Sequence, residues 1–211
     1  MTTAAALIAD AATALVLFDI AKVSAGDAVL VVGASGGLGI VSVQLAKARG
    51  ARVVAVARGV KLDRVRELGP DAAVDSDQPD WVARARSALP PAGADVVLDN
   101  VGGALGEASF ALAADGGRFS AHGMPSGRFA QVDPVDAQRR NIAVTGIQAA
   151  QMTAAERMRY IERALAQAAA GHIRPVIGQV FPLERAGAAH AAIEGRDVFG
   201  KTLLTTAPPS A

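Results

Sequence analysis

The sequence predicts an α/β fold: a doubly wound parallel sheet with helices on both faces, followed by extra C-terminal strands. Three observations predict it. Short valine- and alanine-rich runs alternate with longer stretches of helical period, the rhythm of β-α-β units. The runs at 28–32 and 52–57 are apolar at nearly every position, as strands buried on both faces are. Steps of this kind joined by right-handed crossovers close as a doubly wound sheet, whose ligands bind where strand order reverses.

In chain order, an alanine-rich opening helix is expected over 4–22, closed by the turn Ser24-Ala25-Gly26-Asp27. The strand 28–32, a glycine turn over 33–39 and a helix over 40–49 follow, with Gly50 placed as a C-cap. A strand at 52–57 leads to a helix over 61–68, stopped by Gly69-Pro70. A short strand at 72–75, a helix at 79–88 and a break at Leu89-Pro90-Pro91 complete the first half. The second half repeats the pattern: strand 95–98, helix 105–113, strand 117–122 after Asp115-Gly116-Gly117, and strand 142–147. Thr153 and Glu156 form a capping box opening a helix to about 170, ended by Gly171. Strands at 175–181 and 201–206 flank a helix at 183–194, and Pro208-Pro209 reads as a frayed end. The organisation expected is a lead-in helix (1–24), a nucleotide-binding domain (25–172) and a strand-helix-strand extension (173–211).

Composition narrows the function. Twenty-one basic against twenty acidic residues leave a charge of +1, without the basic excess of a nucleic-acid binder. The chain has no cysteine, which removes disulfides, iron–sulfur clusters and thiolate zinc sites. Asp10 interrupts the apolar N-terminal run and no basic residue precedes it, so neither a signal peptide nor an uninterrupted membrane span is expected. A cytoplasmic protein without membrane or nucleic-acid partners, acting on a small molecule, is the expectation.

The turn Gly33-Ala34-Ser35-Gly36-Gly37-Leu38-Gly39 lies directly between a strand and a helix. There Gly36 lets the backbone approach a pyrophosphate, Gly39 lets helix and strand pack closely, and the first helical amides meet phosphate oxygens. Ala34 stands at the first position of G-x-G-x-x-G, so the strict pattern fails by one residue and an ordinary glycine turn stays open. Ser35, Gly36, Gly37, Leu38 and Gly39 are the candidate phosphate binders. A phosphate loop ending in Gly-Lys-Ser/Thr is excluded by Ile40 and Val41, and a methyltransferase would place an acid at the end of the second strand. That strand ends instead at Ala57, with Arg58 and Lys61 close behind. The missing carboxylate and the two cations favour NADP(H) over NAD(H), with Arg58 and Lys61 on the 2′-phosphate, although such a pair also suits a solvated helix start.

Asn100, Val101 and Gly102 follow the fourth strand, and Gly123 and Met124 the fifth, so both groups fall on the same sheet edge as candidate nicotinamide contacts. His122 is a candidate for a polar role there; His172 and His190 read as surface residues, and no two histidines have metal-ligand spacing. Tyr160 lacks a lysine four places on, because position 164 is Ala164, and no Gly-x-Ser-x-Gly elbow occurs. Trp81 reads as a packing residue. No catalytic residue and no metal are assigned.

These residues resemble the cofactor-binding part of the medium-chain dehydrogenase/reductase superfamily, in particular its quinone oxidoreductase branch. The similar stretches are Gly26-Asp27-Ala28-Val29-Leu30-Val31, the glycine turn, Arg66-Glu67-Leu68-Gly69, Asp95-Val96-Val97-Leu98-Asp99 with Val101-Gly102-Gly103, Arg174-Pro175-Val176-Ile177-Gly178 with Phe181-Pro182-Leu183, and Gly200-Lys201-Thr202-Leu203-Leu204. The resemblance implies a Rossmann-type domain, NADPH as hydride donor, and reduction of quinones or α,β-unsaturated carbonyls. It also implies that the chain lacks the family's N-terminal GroES-like domain, and that the C-terminal strands would normally join that lobe. The alternative is a truncated NADP(H)-binding module without turnover. Bare apolar segments and the family's habit of joining sheet edges allow a homodimer.

Overall fold

The computed structural model describes residues 2–196 and 198–206; the expected frayed end at Pro208-Pro209 lies outside the described residues. Six strands form one parallel sheet: β1 (Ala28–Val32), β2 (Arg52–Ala57), β3 (Ala72–Asp75), β4 (Ala94–Asp99), β5 (Ala113–Ala121) and β6 (Ala143–Gly146), ordered β3-β2-β1-β4-β5-β6. Strand order reverses between β1 and β4, so a crevice opens above their C-terminal ends, as in doubly wound sheets generally. β1, at the centre, is buried along its whole length.

Alternation within the strands divides the core in two. Val29, Val31, Val53, Ala55, Val96 and Leu98 face one side, under α2 (Asp10–Ile20), α3 (Gly37–Ala48), α4 (Leu62–Arg66) and α8 (Ala154–Ala169). Leu30, Val32, Val54, Val56, Val97 and Phe119 face the other, under α5 (Trp81–Ala88), α6 (Gly103–Phe110) and α7 (Pro134–Arg139). Trp81 is buried in this second layer, as a packing residue. The capping box of α8 is formed at both bonds, Thr153 N to Glu156 Oε2 (2.9 Å) and Glu156 N to Thr153 Oγ1 (3.3 Å).

Three elements depart from expectation. The opening helix is two, α1 (Thr2–Ile8) and α2, separated at Ala9; Asp10 starts the second and pairs with Lys201 (2.9 Å). Residues 128–141, for which the sequence reading offers no element, contain α7, with Pro134 in its first turn and the Asp133 carboxylate accepting from Val135 N (2.9 Å). β5 begins before the Asp115-Gly116-Gly117 turn and passes it by a register shift opposite Ala94 and Val96.

Residues 3–20 match a membrane span in length and mean hydropathy (1.8), although no uninterrupted apolar run exists there. Half of this window is buried, α2 packs on α3 and α8, and its acids are ion-paired: Asp10 with Lys201, Asp19 with Arg49 and Arg163. Those contacts are what a core helix makes.

The C-terminal strands β7 (Ile177–Pro182) and β8 (Lys201–Thr205), joined through α9 (Ala186–Glu194), form a separate two-stranded parallel sheet. A single bridge, Gly36 to Gly200, brings it against the glycine turn.

Candidate functional site

At the C-terminal end of β1 the chain turns sharply into α3. Ile40 N donates to Gly36 O (2.9 Å), the first bond of the helical ladder, so the amides of Gly37, Leu38 and Gly39 stand ahead of it at the positive end of the helix. A Cβ on Gly39 would run into the carbonyl of Gly33, which fixes the identity of that residue. Gly36 differs: it is exposed, extended at φ −81° and ψ 166°, and a Cβ there would meet nothing closer than 3.7 Å. Nothing in the fold requires glycine at 36, and the open space in front of it is what a ligand would use.

The loops after β4 and β5 close onto this turn. Gly33 packs on Asn100 and Val101. Gly102 adopts φ +75° with its Cα pressed on the carbonyls of Gly123 and Arg128, and a Cβ on Gly123 would overlap the Asn100 backbone. Asp99 ends β4 wholly buried: Oδ1 accepts from Val101 N and Gly102 N (2.9 Å each), while Oδ2 has no hydrogen-bond partner and abuts Gly106. Burial raises its carboxyl above the usual carboxylate range against the opposing pull of those two amides.

His122, buried at the end of β5, joins this wall. Asn100 Nδ2 donates to Val32 O (2.8 Å), which turns Asn100 Oδ1 to His122 Nε2 (3.0 Å). Since Asn100 Oδ1 only accepts, its bond puts the ring proton on Nε2 and leaves Nδ1 to accept from Ser120 Oγ (3.0 Å), with Ser120 O also 3.1 Å from Nδ1. Burial pushes the imidazole down to about 4, so at neutral pH it is uncharged.

The structure therefore gathers Ser35, Gly36, Gly37, Leu38, Gly39, Val101, Gly102 and Gly123 on one edge, with Met124 exposed at its rim. Asn100 is in the same place but turned inward, with both ends of its amide committed to Val32 and His122. Arg58 stands half exposed at the tip of β2, where Asp77 faces it at 3.6 Å. Lys61 does not project beside it. It is buried, and its ammonium donates to Arg196 O (2.5 Å) and Val198 O (2.8 Å). Two carboxylates from the end of β3, Asp75 and Asp77, lie against Gly59 next to Arg58. Sequence distance hid them, although the register Ala57 to Asp75 follows once β2 and β3 pair.

The profile of the zinc-binding dehydrogenase family matches residues 68–204. Quinone oxidoreductase of Rattus norvegicus is 28% identical over 192 residues, 89% of this chain and 57% of that protein. Among solved structures, a mycobacterial protein complexed with NADPH superposes with a TM-score of 0.85 at 27% identity, covering 95% of this chain and 63% of that one. An NAD-dependent alcohol dehydrogenase gives 0.80 at 32% identity, covering 95% and 57%. The chain thus spans somewhat over half the length of these relatives.

A zinc ion, implied by that family's description, finds no fitting donor set among the described residues. No three His, Asp or Glu side chains converge, cysteine is absent, His122 is bonded inside the fold, His172 rests on Gln167, and His190 is exposed on α9.

Proposed function

We propose, from the premise that this chain belongs to the zinc-binding dehydrogenase family, that its sheet edge binds NADP(H). On this reading the chain is the coenzyme-binding part of an oxidoreductase reducing a quinone or an α,β-unsaturated carbonyl. The observation that carries the reading is the convergence of three loops at the β1/β4 switch point around the amides of the first turn of α3. Those amides take the diphosphate, with Gly36 leaving room for it. Arg58 takes the 2′-phosphate by exchanging Asp77 for it, since no carboxylate belongs to the tip of β2 itself. Lys61 is bonded to Arg196 O and Val198 O of the C-terminal segment, so on this reading Arg58 is the cation offered to that phosphate. The loops at Val101–Gly102 and Gly123 wall the nicotinamide end.

Bound NADPH supplies the hydride. The residues of this chain orient and exclude water. His122 is neutral at pH 7 with both ring nitrogens bonded inside the fold, so it shapes the wall and delivers no proton. The quinone oxidoreductase relative and the NADPH-bound neighbour support an oxidoreductase, and a cytoplasmic setting with a small-molecule substrate is the one this reading takes. The exposed β6 edge, with Ala143 and Val144 open to solvent, is the surface we assign to a homodimer; sedimentation as a monomer at all concentrations would remove that part.

The test is NADPH oxidation against a panel of quinones and enones. Turnover supports the reductase; NADPH binding without turnover supports a coenzyme-binding module; no binding overturns both.

A further inference from the structure

One short segment, Arg196 with residues 198–201, is fastened across the whole ligand edge. Lys61 Nζ holds Arg196 O and Val198 O below the tip of β2. The Arg196 guanidinium donates to Pro125 O (2.6 Å) in the loop after β5. Phe199 is buried, with the Arg64 guanidinium 4.2 Å from its ring centroid. Gly200 N donates to Ser35 O (3.0 Å) in the glycine turn. Finally Lys201 Nζ lies 2.9 Å from both oxygens of Asp10. That carboxylate rests on Gly37: a Cβ there would run into Asp10 Oδ2 and come within 3.3 Å of Lys201 Cδ.

An acid from the start of α2 and an ammonium from the start of β8 therefore stand together at the first turn of α3. Asp10 is itself favoured by the positive end of that helix and so competes with any other anion for the same field. Left alone, it would repel a diphosphate by a charge–charge interaction that is weakly screened at this partly buried place, where its side chain is 19% exposed.

We propose that Lys201 is a positioning residue for the coenzyme, neutralising Asp10 so that the diphosphate can settle on the α3 amides. This rests on the dinucleotide reading above. The strap brings Lys201 there, so the C-terminal segment is a working part of the coenzyme site.

The test titrates the chain with NADH and with NADPH, at low and high salt, with thermal unfolding measured in parallel. Lys201→Met should weaken both coenzymes about tenfold at low salt and less at high salt. Asp10→Asn combined with Lys201→Met should return affinity to within about threefold of the parent, although the ion pair is still missing. A pair that served only as a latch would leave the double variant as weak as the single one, and that result overturns the proposal. Asp10→Asn alone keeps the question answerable if Lys201→Met does not fold: it should tighten both coenzymes, and unchanged affinity contradicts the proposal. Should the parent chain bind neither coenzyme, the dinucleotide reading falls first; a failure confined to the variants leaves that reading standing.

Discussion

The two sheets of this chain bury themselves very differently. In the six-stranded sheet, β1 and most of β2 and β4 are closed on both faces by helices. In the β7–β8 sheet, Val180 and Leu204 remain 50% and 43% exposed, and Leu183 and Ile193 in the connecting segment 50% and 52%. The large sheet holds its core between two helical layers, and its C-terminal edge ends in glycine turns. The small sheet adds little core of its own but supplies residues 198–201 to that edge. The buried core belongs mostly to one, and the other lies along its C-terminal edge.

That division can be broken most forcefully at His122, in the buried wall of the large sheet. Its folded pKa of about 4 lies below the ordinary 6.5, so the unfolded chain takes up the proton first as pH falls. Stability is full above pH 6.5 and declines toward pH 4, by about 3 kcal/mol at 1.36 kcal/mol per unit. Asp99, raised by burial, acts in the opposite sense above 3.8, so the clean readout is the difference between the parent and His122→Asn. Urea unfolding across that range should show a slope that the variant lacks; identical slopes would mean the imidazole is not sealed in the wall.

Gly36→Val sharpens the comparison by separating site from fold. The space for a Cβ is there, so thermal unfolding should stay near that of the parent. Affinity for NADPH and NADH should both fall more than about 100-fold, roughly 2.7 kcal/mol, in a calorimetric titration. Retained affinity would move the diphosphate elsewhere. Arg58→Ala is expected to do less: about tenfold against NADPH and almost nothing against NADH, the low end for a charged hydrogen bond because the side chain is half exposed and faces Asp77. Equal losses for the two coenzymes would take the 2′-phosphate away from Arg58. Smallest of all, Val180→Thr should change unfolding free energy by under about 0.5 kcal/mol, as an exposed position does. A larger loss would show that the small sheet is covered in solution.

The sequence made the large sheet legible because its signal is local. Bounds at 28–32, 52–57 and 72–75 coincide with β1, β2 and β3, since each is an apolar run between turn residues. The three glycine loops on the C-terminal edge were legible for the same reason, as glycines just after strands. What escaped was long-range. Lys61 finds its partners 135 and 137 residues away, and no spacing around position 61 signals that its ammonium is taken up there. Asn100 stands out in the sequence for the backbone groups of its turn, and nothing near it in sequence announces that the buried His122 takes up its side-chain oxygen. Asp10 and Lys201 meet across 191 positions. For α7 the signal was present, Asp133 before Pro134, but the helix is too short for periodicity to reveal.

The most direct measurement is a calorimetric titration of the unmodified chain with NADPH and, in parallel, NADH. Saturable binding of one NADPH per chain, tighter than NADH, is the predicted result. No heat with either coenzyme at millimolar concentration would contradict the assignment of the α3 amides to a dinucleotide.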